Sequence, residues 1–151
     1  MSSRTRIPDE LHETVVSRLA RLGQRYTTNR KSLVAMLWAE GRPMTLPEML
    51  EADAALAQSS AYRNLVVLEE AQVLHRLVTT GQFACWELAE DLTGHHHHHL
   101  ICRSCGVVED FTASPDLERL LGKAVGQAGR TAGFVAEDHR LVLLGTCNDC
   151  R

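Results

Sequence analysis

Apolar residues recur at three- and four-residue steps at Leu11, Val15, Val16, Leu19 and Leu22, a spacing that predicts an amphipathic helix ending near Gly23. After Tyr26-Thr27-Thr28-Asn29, which offers capping side chains, RKSLVAMLWAEG repeats the pattern and stops at Gly41. Thr45-Leu46-Pro47-Glu48 combines a capping threonine, an early proline and a glutamate three residues on, predicting a short third helix. Ser59 or Ser60 opens a fourth, SSAYRNLVVLEEAQ. The period then shortens: HRLVT and FACWEL are β-prone runs around Thr80-Gly81-Gln82, read as a hairpin. Short helices followed by a hairpin spell a winged helix-turn-helix, against the plainer alternative of an unrelated small helical domain with a hairpin.

The polar segment AEDLTG, residues 89–94, is the natural linker. Beyond it, HHHHLIC and VVEDF read as strands, SPDLERLLGKAVGQAG as a helix, and FVAEDHRLVLLG as a strand or hairpin arm. The fold expected is α+β: a winged helix-turn-helix domain over 1–88, a short hinge over 89–94, and a C-terminal α/β domain over 95–151. So short a second unit is marginal on core burial alone and gains from a metal staple.

A chain of 151 residues with 44% hydrophobic side chains suits one medium or two small domains and argues against a single large enzyme core. Its apolar runs, such as Leu141 to Leu144, fall far short of the roughly 18–20 residues of a membrane span. The start MSSRTRIPDEL has no apolar secretory core, so a soluble, cytoplasmic protein with no membrane partner is expected. Net charge is −3, yet residues 1–42 hold eight Lys/Arg against four acids, a local +4. That face suits phosphate contact, and a solvated helix face explains it equally on charge alone.

Five cysteines stand at 85, 102, 105, 147 and 150. Cys102-x-x-Cys105 and Cys147-x-x-Cys150 supply four thiolates, the tetrahedral sulfur set of closed structural zinc sites. Binding free energies of about 10–16 kcal/mol for such sites could decide whether the second unit folds. Two reducible disulfides or a redox sensor are the alternatives.

Directly before the first pair lies His95-His96-His97-His98-His99. In an extended segment successive side chains face opposite ways, so His95, His97 and His99 share one face, and His96 and His98 the other. One strand could then feed two metal sites. Neither pair completes a site alone. Further donors must come from His75, Glu87, Asp110, Glu118 or His139. A flexible polar tract binding metal weakly is the bland reading; the unbroken run into Leu100-Ile101-Cys102 weakens it.

Together these stretches resemble the ferric uptake regulator family of metal-sensing repressors. The resemblance is carried by HHHHHLICRSCG at 95–106, AYRNLVVLEEA at 61–71 and GTCNDC at 145–150, with GQRYTTNR at 23–30 similar to the family's helix-opening segment. It implies a winged-helix DNA-binding domain, a C-terminal dimerisation domain, and a homodimer bound to an AT-rich inverted repeat in double-stranded DNA. The helix with Tyr62 and Arg63 would enter the major groove, Arg63 on guanine or phosphate and Tyr62 against a thymine methyl, while Arg25 and Arg30 hold backbone.

The resemblance also implies ligand sets. Cys102, Cys105, Cys147 and Cys150 match its structural zinc. His96, His98, Glu118 and His139 look like a second site inside the dimerisation domain, Glu118 requiring one extra residue in FTASPDLE. His97 and His99, joined by Glu87, look like the sensory site at the hinge. The chain departs from pattern before the second helix of the turn motif, where Arg42-Pro43-Met44 replaces the histidine of many iron and peroxide sensors; His75 is the substitute expected. Cys85 shares a face with Glu87, as a further ligand or a buried apolar residue.

Metal joining His97 and His99 to Glu87 and His75 would then favour a closed form with its recognition helices at half-site spacing. The expected role is a zinc-responsive repressor, with zinc structural and zinc or iron(II) regulatory. The alternatives are an iron-responsive regulator, a peroxide sensor of the same family and, remotely, a zinc hydrolase.

Overall fold

The computed structural model describes residues 6–79 and 84–151 and divides the chain into two units, Met1–His95 and His96–Arg151. In the first, the apolar stripes become helices α1 (Asp9–Arg21) and α2 (Thr28–Glu40), then a two-residue strand β1 (Met44–Thr45), α3 (Leu46–Ala52) and α4 (Gln58–Glu70). Leu11, Val15 and Leu19 of α1 and Leu33, Val34 and Leu37 of α2 are buried with Leu65 and Leu68 of α4 in one core, whereas Val16 and Leu22 stay about half exposed. Gly41 ends α2 in the left-handed conformation (φ 63°), which glycine adopts without a Cβ penalty.

Thr45 opens α3 through a full capping box: its side chain accepts from Glu48 N, and Glu48 reaches back to Thr45 N at 2.7 Å. Helix α4 starts at Gln58, one residue before Ser59 and two before Ser60, with Ala57 as an N-cap lacking a side-chain bond. Ser60 is engaged elsewhere, accepting from Asn29 Nδ2 of α2 at 3.3 Å.

Strands β2 (Leu74–Leu77) and β3 (Cys85–Leu88) pair antiparallel, and β1 adds to the far side of β3. The turn Thr80-Gly81-Gln82 lies outside the described residues. The segment 89–94, expected as the hinge, includes a helical turn, α5 (Glu90–Thr93). Leu92 packs on the core, Asp91 pairs with Arg18 of α1, and Ala89 N bonds Val73 O. These anchors outweigh the segment's polar composition.

In the second unit, β4 (His98–Cys102) is central, antiparallel to β5 (Val108–Phe111) and parallel to β6 (Val142–Gly145). Helix α6 (Pro115–Ala132), capped by the Ser114 side chain on Leu117 N, makes the connection. Since β6 pairs with β4 and not with a strand joined to it by a tight turn, it is not a hairpin arm, and only the last four residues of the expected strand segment join the sheet. Among the described residues no helix is long and apolar enough to cross a membrane.

Candidate metal centres and nucleic-acid interface

Parallel pairing of β4 and β6 creates the first cluster. Cys102 ends β4 opposite Gly145 at the end of β6, and Arg103 N bonds Gly145 O at 2.8 Å. The chain leaving β6 therefore delivers Cys147 beside Cys102, its N–H 3.3 Å from Cys102 Sγ. Gly106 (φ 77°) turns the first knuckle back and brings Cys105 Sγ to 3.7 Å from Cys147 Sγ.

All four sulfurs lie within 4.8 Å of one another, and none is disulfide-bonded. Four sulfurs about 2.3 Å from a common centre stand about 3.8 Å apart at the corners of a tetrahedron, so the set fits zinc. Backbone N–H groups of Cys105 and Cys147 lower the Cys102 thiol to about 6, while the sulfurs of Cys147 and Cys105 push Cys150 up to about 12. One thiolate thus disfavours the next, a repulsion that a central cation offsets.

The second cluster lies on one face of the histidine run. His96, His98, Glu118 and His139 have donor atoms within 4.8 Å of one another. His98, fully buried, bonds Glu118 Oε1 through Nε2 at 2.7 Å and accepts the backbone N–H of Leu141 at Nδ1, 3.3 Å away. With Nδ1 engaged by that N–H, Nε2 is the ring nitrogen left to face Glu118 and a cation. The bond from His98, with the charges and contacts of His96 and His139, holds Glu118 below the usual carboxylate range. Buried His139 Nε2 is 3.2 Å from Glu118 Oε2 without a directed hydrogen bond. Three imidazoles and a carboxylate converging on an orphaned ring nitrogen fit a divalent cation.

On the opposite face, His97 and His99 stack edge to face at 5.1 Å. Asp110 lies directly across from His99 in the β4–β5 ladder and takes up both: His97 Nε2 is 3.9 Å from Oδ2 and His99 Nε2 3.5 Å from Oδ1. Asp110, a candidate donor from the sequence, belongs to neither of the ligand sets that the family resemblance implies. The signal was its place on the strand following the knuckle, yet only the register shows that it meets His99. His75 and Glu87 of the first unit are cross-strand partners on β2 and β3, Glu87 buried and His75 half-buried. Cys85 is buried on β3, and burial pushes its thiol up to about 11, as for a neutral apolar residue.

Of the expected DNA-contacting residues, Tyr62 and Arg63 are exposed near the start of α4. The Tyr62 ring meets Trp86 edge-on at 6.3 Å, and the Trp86 indole N–H donates to Glu69 Oε2 at 3.4 Å, so α4 is braced on β3. Arg25 is exposed in the loop before α2, whereas Arg30 is buried.

The model of the ferric uptake regulator family matches residues 21–144. The chain is 38% identical over 93 residues to the ferric uptake regulation protein of Bordetella parapertussis, covering 62% of this chain and 61% of that protein, so this match spans about three fifths of its relative. With the ferric uptake regulation protein of Campylobacter jejuni it is 30% identical over 149 residues, 94% of this chain and 89% of that one. The solved ferric uptake regulator of Helicobacter pylori, described as having three functional metal-binding sites, superposes with a TM-score of 0.74 over 97% of this chain and 95% of its own, at 23% identity. At that identity the likeness shows the fold.

Proposed function

Because the chain belongs to the ferric uptake regulator family, a family of metal-responsive transcriptional regulators and not of enzymes, we propose that it is a cytoplasmic repressor. It binds an AT-rich inverted repeat as a homodimer when its sensory donors hold a divalent metal. The observation that carries this reading is the division of one histidine run between two donor sets, His96 and His98 with Glu118 and His139, and His97 and His99 with Asp110.

The four cysteines hold structural zinc. The sensory set is His97 and His99 with His75 and Glu87, to which we add Asp110. A bound cation supplies a cross-link, favouring whichever arrangement best converges these donors. Preference of about 100-fold corresponds to about 2.7 kcal/mol of coupling. Tyr62 and Arg63 read bases and Arg25 holds phosphate. The dimer is supported by exposed apolar side chains on β6, Val142, Leu143 and Leu144, whose outer edge pairs with no described strand.

Zinc is the first reading for the sensed ion: imidazole with carboxylate suits it, and Arg42-Pro43-Met44 stands where many iron and peroxide sensors carry a histidine, while the Irving–Williams order by itself does not choose the ion. Iron(II) is the second reading, favoured by the names of the relatives above and by the absence of thiolate from the His97, His99 and Asp110 cluster. Anaerobic gel shifts of chelator-treated protein on a random-sequence duplex pool, with zinc, iron(II) or manganese and then peroxide, test both. Retardation should require metal and select one sequence, and loss of binding on peroxide would assign the peroxide-sensing variant. DNA binding that ignores metal overturns the proposal.

A further inference from the structure

Arg30 is a charged side chain only 8% exposed, and its guanidinium points into the domain. Nε donates to Asn64 Oδ1 at 2.9 Å, Nη1 to the Arg25 carbonyl at 2.6 Å, and Nη2 to Gln24 Oε1 at 2.9 Å. One planar fork thus serves three acceptors in three directions, a task lysine's single ammonium cannot reproduce. None of the three is a carboxylate, so these bonds use the shape of the group more than a charge pairing. Buried charge-assisted bonds of this kind are costly to leave unmade.

The acceptors also have meaning by position. Asn64 follows Arg63 on the recognition helix, and Arg25 is the exposed cation of the loop leading into α2. A neighbouring bond, Asn29 Nδ2 to Ser60 Oγ at 3.3 Å, ties the same two helices at the same end.

We propose that Arg30 is a positioning residue. It ties the N-terminal part of α4 to α2 and to the backbone of the preceding loop, so that Arg63 and Tyr62 meet bases from a preset helix, while the exposed Arg25 side chain, bonded to Arg30 only through its carbonyl, reaches phosphate independently, and Arg30 touches no phosphate itself. The inference rests on the DNA-binding reading above, and it replaces the expectation that Arg30 holds backbone.

A phosphate contact and a positioning contact leave different signatures. Loss of a phosphate contact weakens all sequences alike and lowers the salt slope by about one. Loss of positioning lowers affinity for the selected sequence and spares the slope. The test uses the full-length, metal-loaded protein, titrated across a salt series with the duplex it selects from a random pool and with an unselected duplex.

Arg30→Lys, which keeps the charge and loses the fork, should bind the selected duplex about tenfold or more weakly, with slope and unselected binding unchanged. Arg25→Ala should weaken both duplexes and lower the slope by about one. Asn64→Ala, which removes the Nε bond alone, should lose part of what Arg30→Lys loses, and the double variant should be no worse than Arg30→Lys, since the bond to Asn64 is already among those the lysine gives up. Should Arg30→Lys fail to fold by circular dichroism, Asn64→Ala carries the test alone: an unchanged ratio of selected to unselected binding overturns the proposal. A wild-type ratio in folded Arg30→Lys, or a slope lowered by about one in Arg30→Ala, also overturns it. Absence of metal-dependent binding by the wild type would overturn the DNA-binding reading as well.

Discussion

Tyr26 buries its hydroxyl with no hydrogen-bond partner among the described residues, while its ring packs on the core beside His12 and under Lys31. An unpaired buried hydroxyl costs free energy that phenylalanine would not incur. Tyr26→Phe should therefore stabilise the protein by about 1 kcal/mol in urea melts. Burial raises the Tyr26 phenol to about 12, so its neutral form contributes stability that is intact below pH 10 and is lost as pH rises through 12. The Phe variant should lose less stability than the wild type between pH 10 and 12.

At this scale the sequence was legible where chemistry repeats. Alternation along the histidine run separates the same two faces that the structure separates. It could not show Asp110 meeting His99, because that pairing depends on the β4–β5 register. Nor could it show Arg30 turning inward, because nothing local distinguishes a buried arginine from a solvated one.

The elements were legible wherever period and punctuation agree, as in α1, α2 and the capping box of α3. They were hidden where polar composition conceals a tertiary anchor, as at the helical turn α5, and a helix start is misplaced where a serine that could cap is bonded elsewhere, as at α4. Gly129 near the end of α6 shows a further constraint that sequence does not expose. A Cβ there would meet the Phe134 carbonyl oxygen at 2.6 Å, and Phe134 N bonds Gly129 O at 2.8 Å. The chain after α6 thus closes tightly over the helix on its way to His139. Gly129→Ala should force a backbone shift costing about 1–3 kcal/mol, seen as a lower melting temperature of the metal-loaded protein. An unchanged melting temperature would show that this loop relaxes freely.

For the whole molecule, the second unit has little to bury: Leu120, Phe134 and all three aliphatic residues of β6 remain exposed. A surface of that kind calls for cover, and a second copy is the cover proposed. Leu143→Glu places a charge on that strand and should sediment as a monomer at concentrations where the wild type is a dimer, with the zinc content of the cysteine site retained. A dimeric Leu143→Glu would move the interface elsewhere.

In the proposed mechanism the two faces of the histidine run do different things. Affinity for the selected duplex, measured against free metal concentration for the wild type, His97→Ala and His96→Ala, tests it most directly. His97→Ala should fold and lose metal-dependent DNA binding, while His96→Ala should keep it. Equal loss in both, or retention in His97→Ala, would contradict the division of labour between the two faces.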